Sequence, residues 1–313
     1  MSAPTPYAPS PAPAPDTPPR HQVDPAHRLD ASPRSRRGWR TAVTMIAALF
    51  VSLVLLALGA VSMTSWAVQR SYQDVAATYE LGTPDSLSLT THVADVRVAS
   101  SSEVDQVTLA LVEDGSTDVP DAGETVRARV DVTGDATRRS IEVSQPGMNR
   151  FGSLLDEHRE VLLLVPSDHV MDLEMRADVG RIDASGTFAS LEVSADVGDV
   201  RLSGVEAPGG IAVHTETGEM SLAPASPVPG GITVTSTLGD VDVTLPPDAA
   251  GDVSVRGEVG EVQVTAPGTG RRVVQATSDV GTVSVDPAFM TAGGDVIGRI
   301  DVTTSLGDVS VTR

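Results

Sequence analysis

The segment SADVGDVRLSG, residues 194–204, returns along the chain as ADVGRIDASG, TETGEMSLAP, STLGDVDVTLP, GEVGEVQVTAP, SDVGTVSVDP and SLGDVSVTR. With the glycine of each copy as origin, Gly180, Gly198, Gly218, Gly239, Gly260, Gly281 and Gly307 stand 18, 20, 21, 21, 21 and 26 residues apart. One such unit is too short to bury an apolar face alone. Repeats of this period are stable when neighbours stack and share a core.

The columns of the repeat say what stacks. Seven residues before the glycine come Leu173, Leu191, Ile211, Ile232, Val253, Val274 and Ile300, and five before come Met175, Val193, Val213, Val234, Val255, Ala276 and Val302. Small residues stand three before, and Val179, Val197, Thr217, Leu238, Val259, Val280 and Leu306 one before. Period two marks a strand with one buried face, and the β-branched content fits strands better than helices. After the glycine the apolar positions fall two and four residues on, as in Val200 and Leu202. If the position one before is inward, the inward phase slips by one at the glycine, which predicts a bend or bulge there. Each unit then reads as strand, glycine corner, strand, and a Pro/Gly-rich connector such as APASPVPGG. The fold class this predicts is all-β: a β-solenoid of stacked two-strand repeats of roughly 20 residues.

An earlier copy, LSLTTHVADVRVAS, has Ala94 at the glycine place. Between it and Gly180 lie the strand-like runs QVTLALVE, ETVRARVDV, RSIEVSQ and EVLLLVP, read as an antiparallel sheet capping the first rung, with NRFGSLLDEH as a loop or short turn. At the other end, Phe289 and Met290 are expected to fold over the last rung and shield its open edge.

Ahead of the repeats, Thr41–Met63 is almost wholly apolar, and no charge occurs between Arg40 and Arg70. A helix of that length is roughly 35 Å, enough for a hydrocarbon core of about 30 Å. Trp39 and Trp66 flank it, as interfacial aromatics do. Residues 1–40 carry six arginines against three aspartates, which places them on the cytoplasmic side. A cleaved signal peptide would have a shorter apolar region and a shorter polar leader. The organisation expected is a disordered Pro/Ala/Arg-rich cytoplasmic tail (1–40), a transmembrane helix in contact with lipid (41–66), a linker (67–82), the first β rung with its antiparallel caps (83–172) and the solenoid (173–313). The last two would lie outside the plasma membrane.

Beyond residue 40 the chain has 16 arginines, no lysine and 39 acids, a balance that phosphate backbones repel and that excludes nucleic acid. Two acidic columns flank the glycine, and stacking sets like charges about 4.8 Å apart, with a repulsion of roughly 1 to 3 kcal/mol per neighbouring pair. Asp196, Asp199, Glu216, Glu219, Glu258 and Glu261 are therefore the candidate ligands of a divalent cation such as Ca2+, although no EF-hand loop or G-G-x-G-x-D repeat is present; a solvated face that keeps the domain soluble is the simpler reading, and no other cofactor is expected. The carboxylates recur evenly instead of clustering in one unusual rung. No histidine or nucleophile joins them, so no enzyme is predicted. Cysteine is absent, which removes disulfides and thiolate sites.

A run of x-D-x-G-D-V-x-V repeats, preceded by a strand ending in VLLLVP and by a single apolar anchor, resembles the bacterial putative-adhesin family of β-strand-repeat proteins, over about residues 80–313. The resemblance implies a cell-surface β-solenoid, and some relatives look like accessories of envelope-stress systems. Two functions follow as expectations. One is a non-catalytic adhesion surface for a cell-envelope or surface component. The other is an accessory regulator or scaffold of an envelope-stress response, with a protein partner in the same membrane.

Overall fold

The computed structural model describes residues 72–146, 159–247, 249–291 and 294–313. The cytoplasmic-tail and transmembrane readings, the first five residues of the linker and the segment NRFGSLLDEH lie outside these residues. Among the described residues no helix is long and apolar enough to cross a membrane.

The repeat becomes a pair of strands, one in each of two 11-stranded sheets. Strands β1 (Gln73–Ala76), β2 (Thr78–Glu80), β3 (Ser86–Val93), β4 (Val96–Ser101), β5 (Thr108–Glu113), β6 (Thr125–Gly134), β7 (Arg138–Ser144) and β8 (Arg159–Pro166) precede the glycine repeats. The repeats themselves supply β9 (Asp172–Val179), β10 (Ile182–Thr187), β11 (Ser190–Val197), β12 (Val200–Glu206), β13 (Ile211–Thr217), β14 (Met220–Pro224), β15 (Ile232–Leu238) and β16 (Val241–Thr244). They continue through β17 (Val253–Val259), β18 (Val262–Thr265), β19 (Arg271–Val280), β20 (Val283–Val285), a short helix α1 (Ala288–Thr291), β21 (Val296–Leu306) and β22 (Val309–Thr312). The first sheet runs β1-β6-β7-β3-β9-β11-β13-β15-β17-β21-β19, and the second β2-β5-β8-β4-β10-β12-β14-β16-β18-β22-β20.

Registers follow the columns. Leu191 pairs with Leu173 and Ile211, and Val193 with Met175 and Val213. In the second sheet Val200 pairs with Ile182 and Met220. The columns seven and five before the glycine, and two and four after it, fill one aliphatic core between the sheets, with the small residues three before turned into it and Val283 of the terminal rung left 40% exposed. The two-sheet stack of parallel strands agrees with the expected all-β solenoid architecture.

Three expectations change. First, the column one before the glycine faces solvent: Val179, Val197, Leu238, Val259, Leu306 and Val280 are 40–63% exposed. The next inward residue after the one three before is therefore the one two after. At the end of its strand this position lies outside the core, so its mostly β-branched side chains reflect extended backbone and not burial.

Second, the caps are antiparallel only in part. β7 pairs parallel with β3, and β8 parallel with β4, extending the stack by a rung. Antiparallel pairing starts one step further out, with β6 on β7 and β5 on β8, followed by β1 and β2. β8 is buried on both faces: Val161, Leu163 and Val165 enter the main core, while Leu162 and Leu164 join Ala110 and Val112 in a second cluster covered by Ala99 and Val104. Continuous apolar runs of that kind suit parallel strands.

Third, the last two repeats exchange places. β21 and β22 lie between β17/β18 and β19/β20, so the rung containing Gly281 forms the end of the stack. Phe289 is buried against the core with the Arg313 guanidinium 5.0 Å from its ring centre. Met290 is exposed, so the two do not act together as a lid.

Candidate functional site

The glycine corners set the geometry of the outer surface. The seven repeat glycines have φ between 142° and 154°, a region that L side chains rarely adopt. A Cβ on Gly239 would sit 1.9 Å from the carbonyl oxygen of Gly218, and each other corner glycine meets the preceding rung's carbonyl in the same way. Backbone packs on backbone along this edge, and the flanking side chains are thrown outward on both sides.

On the far side of the corner, the position after the glycine has a repeated structural job. Asp95 accepts a hydrogen bond from the N–H of Arg181 at 2.7 Å, Asp199 from Glu219 at 3.0 Å, Asp240 from Glu261 at 2.8 Å and Asp308 from Thr282 at 2.7 Å. In stacking order the column reads Asp95, Arg181, Asp199, Glu219, Asp240, Glu261, Asp308, Thr282, with an aspartate on every second rung. Each aspartate is short enough to reach the backbone of the rung that follows it. The glycine-aspartate pair of the repeat is thus partly a device for satisfying a backbone donor that the corner removes from the ladder.

This changes the standing of the expected cation ligands. Asp199 spends an oxygen on the Glu219 N–H, Asp196 lies 3.6 Å from the Arg176 guanidinium, and Arg181 interrupts the column. Glu216 and Glu219 are exposed on either side of Gly218, and Glu258 and Glu261 on either side of Gly260, two rungs further along the stack. Among the described residues no three His, Asp or Glu side chains come close enough together to hold a metal ion. The same column does line an open depression of about 340 Å³, with Arg181, Asp199, Glu219, Asp240 and Glu261 along one side and Arg201, Asp242 and Gln263 along the other.

Near the first copy, a second depression of about 250 Å³ joins the two sides of the corner: Val93 and Val179 from before it, Asp95 from after it, with Arg159 and Glu160 of β8 and Asp114 just past β5. Glu160 is buried there, 3.0 Å from Arg97 and accepting the Gly115 N–H at 2.9 Å.

One histidine does join the carboxylates. His92 bridges three strands: Nδ1 is 2.6 Å from Asp178 on β9 and Nε2 is 3.0 Å from Glu142 on β7. The hydrogen bonds to Asp178 and then Glu142 raise its pKa above the usual 6.5, since the imidazolium can donate to both carboxylates. His214 is exposed on an outward column, as its position predicts. His92 was findable only as a histidine in the mostly acidic column two before the corner, and Asp95 only as the aspartate after Ala94. The outward turn of the column one before had no signal, because buried and exposed β-branched residues look alike.

These features define a stacked two-sheet protein of largely parallel strands that turns repeated acidic and apolar columns outward at the glycine corner. Residues 85–227 match the Toastrack DUF4097 family, a domain of unknown function; β15–β22 carry the same columns beyond the matched residues. No curated protein matches the chain. A crystal structure of a putative cell adhesion protein from Clostridium sporogenes ATCC 15579 is similar at 13% identity, over 77% of this chain and 99% of that one, with a TM-score of 0.30. A putative adhesin from Bacteroides fragilis NCTC 9343 is similar at 9% identity, over 76% and 97%, with a TM-score of 0.36.

Proposed function

We propose that the chain is a single-pass plasma-membrane protein that holds an acidic β-solenoid outside the cell as a non-catalytic binding surface, engaging another component of the envelope or a neighbouring surface. The observation that carries this reading is the regular presentation of exposed acidic and apolar side chains on successive rungs at the glycine corner. A catalytic site concentrates unlike groups at one place, whereas this face repeats the same groups at even spacing, as suits a long contact. The apolar stretch 41–66 and the arginines before it support the anchor and its orientation.

Cross-linking on intact cells, followed by recovery through a tag at the C-terminus, tests the reading. Recovery of wall polymer or surface components of other cells supports adhesion. Recovery of integral membrane partners that disappears when residues 1–38 are deleted supports the regulatory alternative, for which the arginine-rich tail is the motivating feature. Recovery of neither would leave the solenoid as a spacer and overturn the binding reading.

A further inference from the structure

We propose that the exposed ladder of Val179, Val197, Leu238, Val259, Leu306 and Val280 seats a cationic amphipathic helix of a partner protein, an inference that rests on reading the outer face as a binding surface. These six account for nearly half of the thirteen large apolar side chains left exposed among the described residues, and they are collected in one column. Strand pairing holds them in register: Val197 with Val179, Val259 with Leu238 and Leu306, and Leu306 with Val280. Only Thr217, between Val197 and Leu238, breaks the apolar row. An apolar row of this extent on an otherwise polar surface marks an interaction site.

The charge beside the ladder selects the occupant. Asp178, Asp196, Glu216, Glu258 and Asp279 precede it on their rungs, and Asp199, Glu219, Asp240, Glu261 and Asp308 follow the corner. Against them stand Arg176, beside Asp178 and Asp196, and Arg181 in the column after the glycine, so acids outnumber arginines along the ladder. The 250 Å³ depression shows Val93 and Val179 sharing one concavity with Asp95 and Asp114, while Glu160 in its wall is paired with Arg97 and Arg159 with Glu113. A partner must therefore offer an apolar stripe bordered by arginine or lysine. A second copy of this chain would bring acid against acid, and an anionic lipid surface would be repelled in the same way.

Spacing selects the conformation. The seven rungs from Val179 to Val280 span about 29 Å at roughly 4.8 Å per step. A helix presents its stripe once per turn of about 5.4 Å, and about 19 residues cover that length. An extended strand repeats the same face every 6.6 Å or so and loses register within two rungs.

The test uses the full chain in zwitterionic lipid nanodiscs and a labelled helical peptide of about 20 residues, with leucines on one stripe and arginines beside it, read by fluorescence anisotropy against empty nanodiscs. The triple variant Leu238→Ser, Val259→Ser and Leu306→Ser is expected to weaken binding at least tenfold at an unchanged urea midpoint. Thr217→Leu, which completes the row, is expected to tighten binding about threefold, and a peptide with glutamates in place of arginines is expected not to bind. Equal affinity of the triple variant and the wild type overturns the proposal, as does equal binding of the acidic peptide. A wild-type dimer in sedimentation that the triple variant abolishes also overturns it, in favour of self-docking. If the triple variant still captures the same envelope components on intact cells, the ladder fails as the seat while the broader binding reading stands.

Discussion

Gly239 shows how closely single residues fix this fold. Its missing side chain serves two needs at once, a φ of 142° and room for the Gly218 carbonyl oxygen 1.9 Å from where a Cβ would be. Gly239→Ala is expected to cost roughly 3–5 kcal/mol, combining backbone strain with forced separation of two rungs. Gly204, at φ 66° with nothing within 4 Å, should lose only about 1 kcal/mol on the same change, and urea unfolding of the two variants checks the contrast. The exception at Ala94 fits the same geometry. The obstructing carbonyl at each corner glycine belongs to the preceding rung, and before Ala94 that rung is β7 and β8, whose ends Ser144 and Arg159 are separated in the sequence by the fourteen residues 145–158 instead of by one glycine corner. A different residue-scale feature works against stability: the hydroxyl of Thr215 is fully buried with no hydrogen-bond partner. Thr215→Val keeps its shape and removes the buried polar atom, so the urea midpoint should rise by the equivalent of about 1 kcal/mol.

Among the elements, β3, β7 and β9 are joined by their hydrogen-bond ladders and also by the His92 bridge. His92 carries its proton when it donates to both Asp178 and Glu142; Arg176 lies 3.9 Å from Asp178, and Asp131 is the cross-strand neighbour of Glu142. Because its folded pKa is raised, the bridge stabilises fully below the unfolded value near 6.5 and is lost as pH climbs through the folded value. The side chain is 40% exposed, so the effect should stay within about 1 kcal/mol. His92→Gln should therefore lower the urea midpoint at pH 6 and match the wild type at pH 9; an equal deficit at both values would remove the charge from the explanation. The strands themselves were legible in the sequence, since Leu191, Val193, Val200 and Leu202 alternate cleanly and pair as their columns require. What was not legible was direction and side. RSIEVSQ and EVLLLVP are equally good strands whether parallel or antiparallel, and Val197 is equally good extended backbone whether its side chain is buried or, as here, exposed. The acidic column was visible, but its division into backbone caps such as Asp199 and exposed glutamates such as Glu219 depends on a reach of one methylene.

At the scale of the whole stack, sequence order and spatial order part company once. The repeat pattern alone would lay β19 on β17 and end the stack with β21, yet Ser254 pairs with Asp301, which in turn pairs with Gln275. Packing gives a reason. The inward residues of the inserted rung are Ile300, Val302 and Thr304, against Val274, Ala276 and Ser278 in the terminal rung, and the larger set occupies the slot covered on both sides. Four extra carbon groups sheltered from water favour this order by up to about 3 kcal/mol. The 26-residue interval before Gly307, with its helix α1, gives the chain enough length to step back past β19. Since the protein has no cysteine, introduced pairs report the order without interference. Ser254→Cys with Asp301→Cys places two outward positions on adjacent strands, about 4.8 Å apart, within disulfide range. Ser254→Cys with Gln275→Cys spans two steps, about 9.6 Å, beyond that range. Under mild oxidation the first pair should cross-link and the second should not. The opposite result would return the last two repeats to sequence order and put the open edge of the stack at β21 and β22.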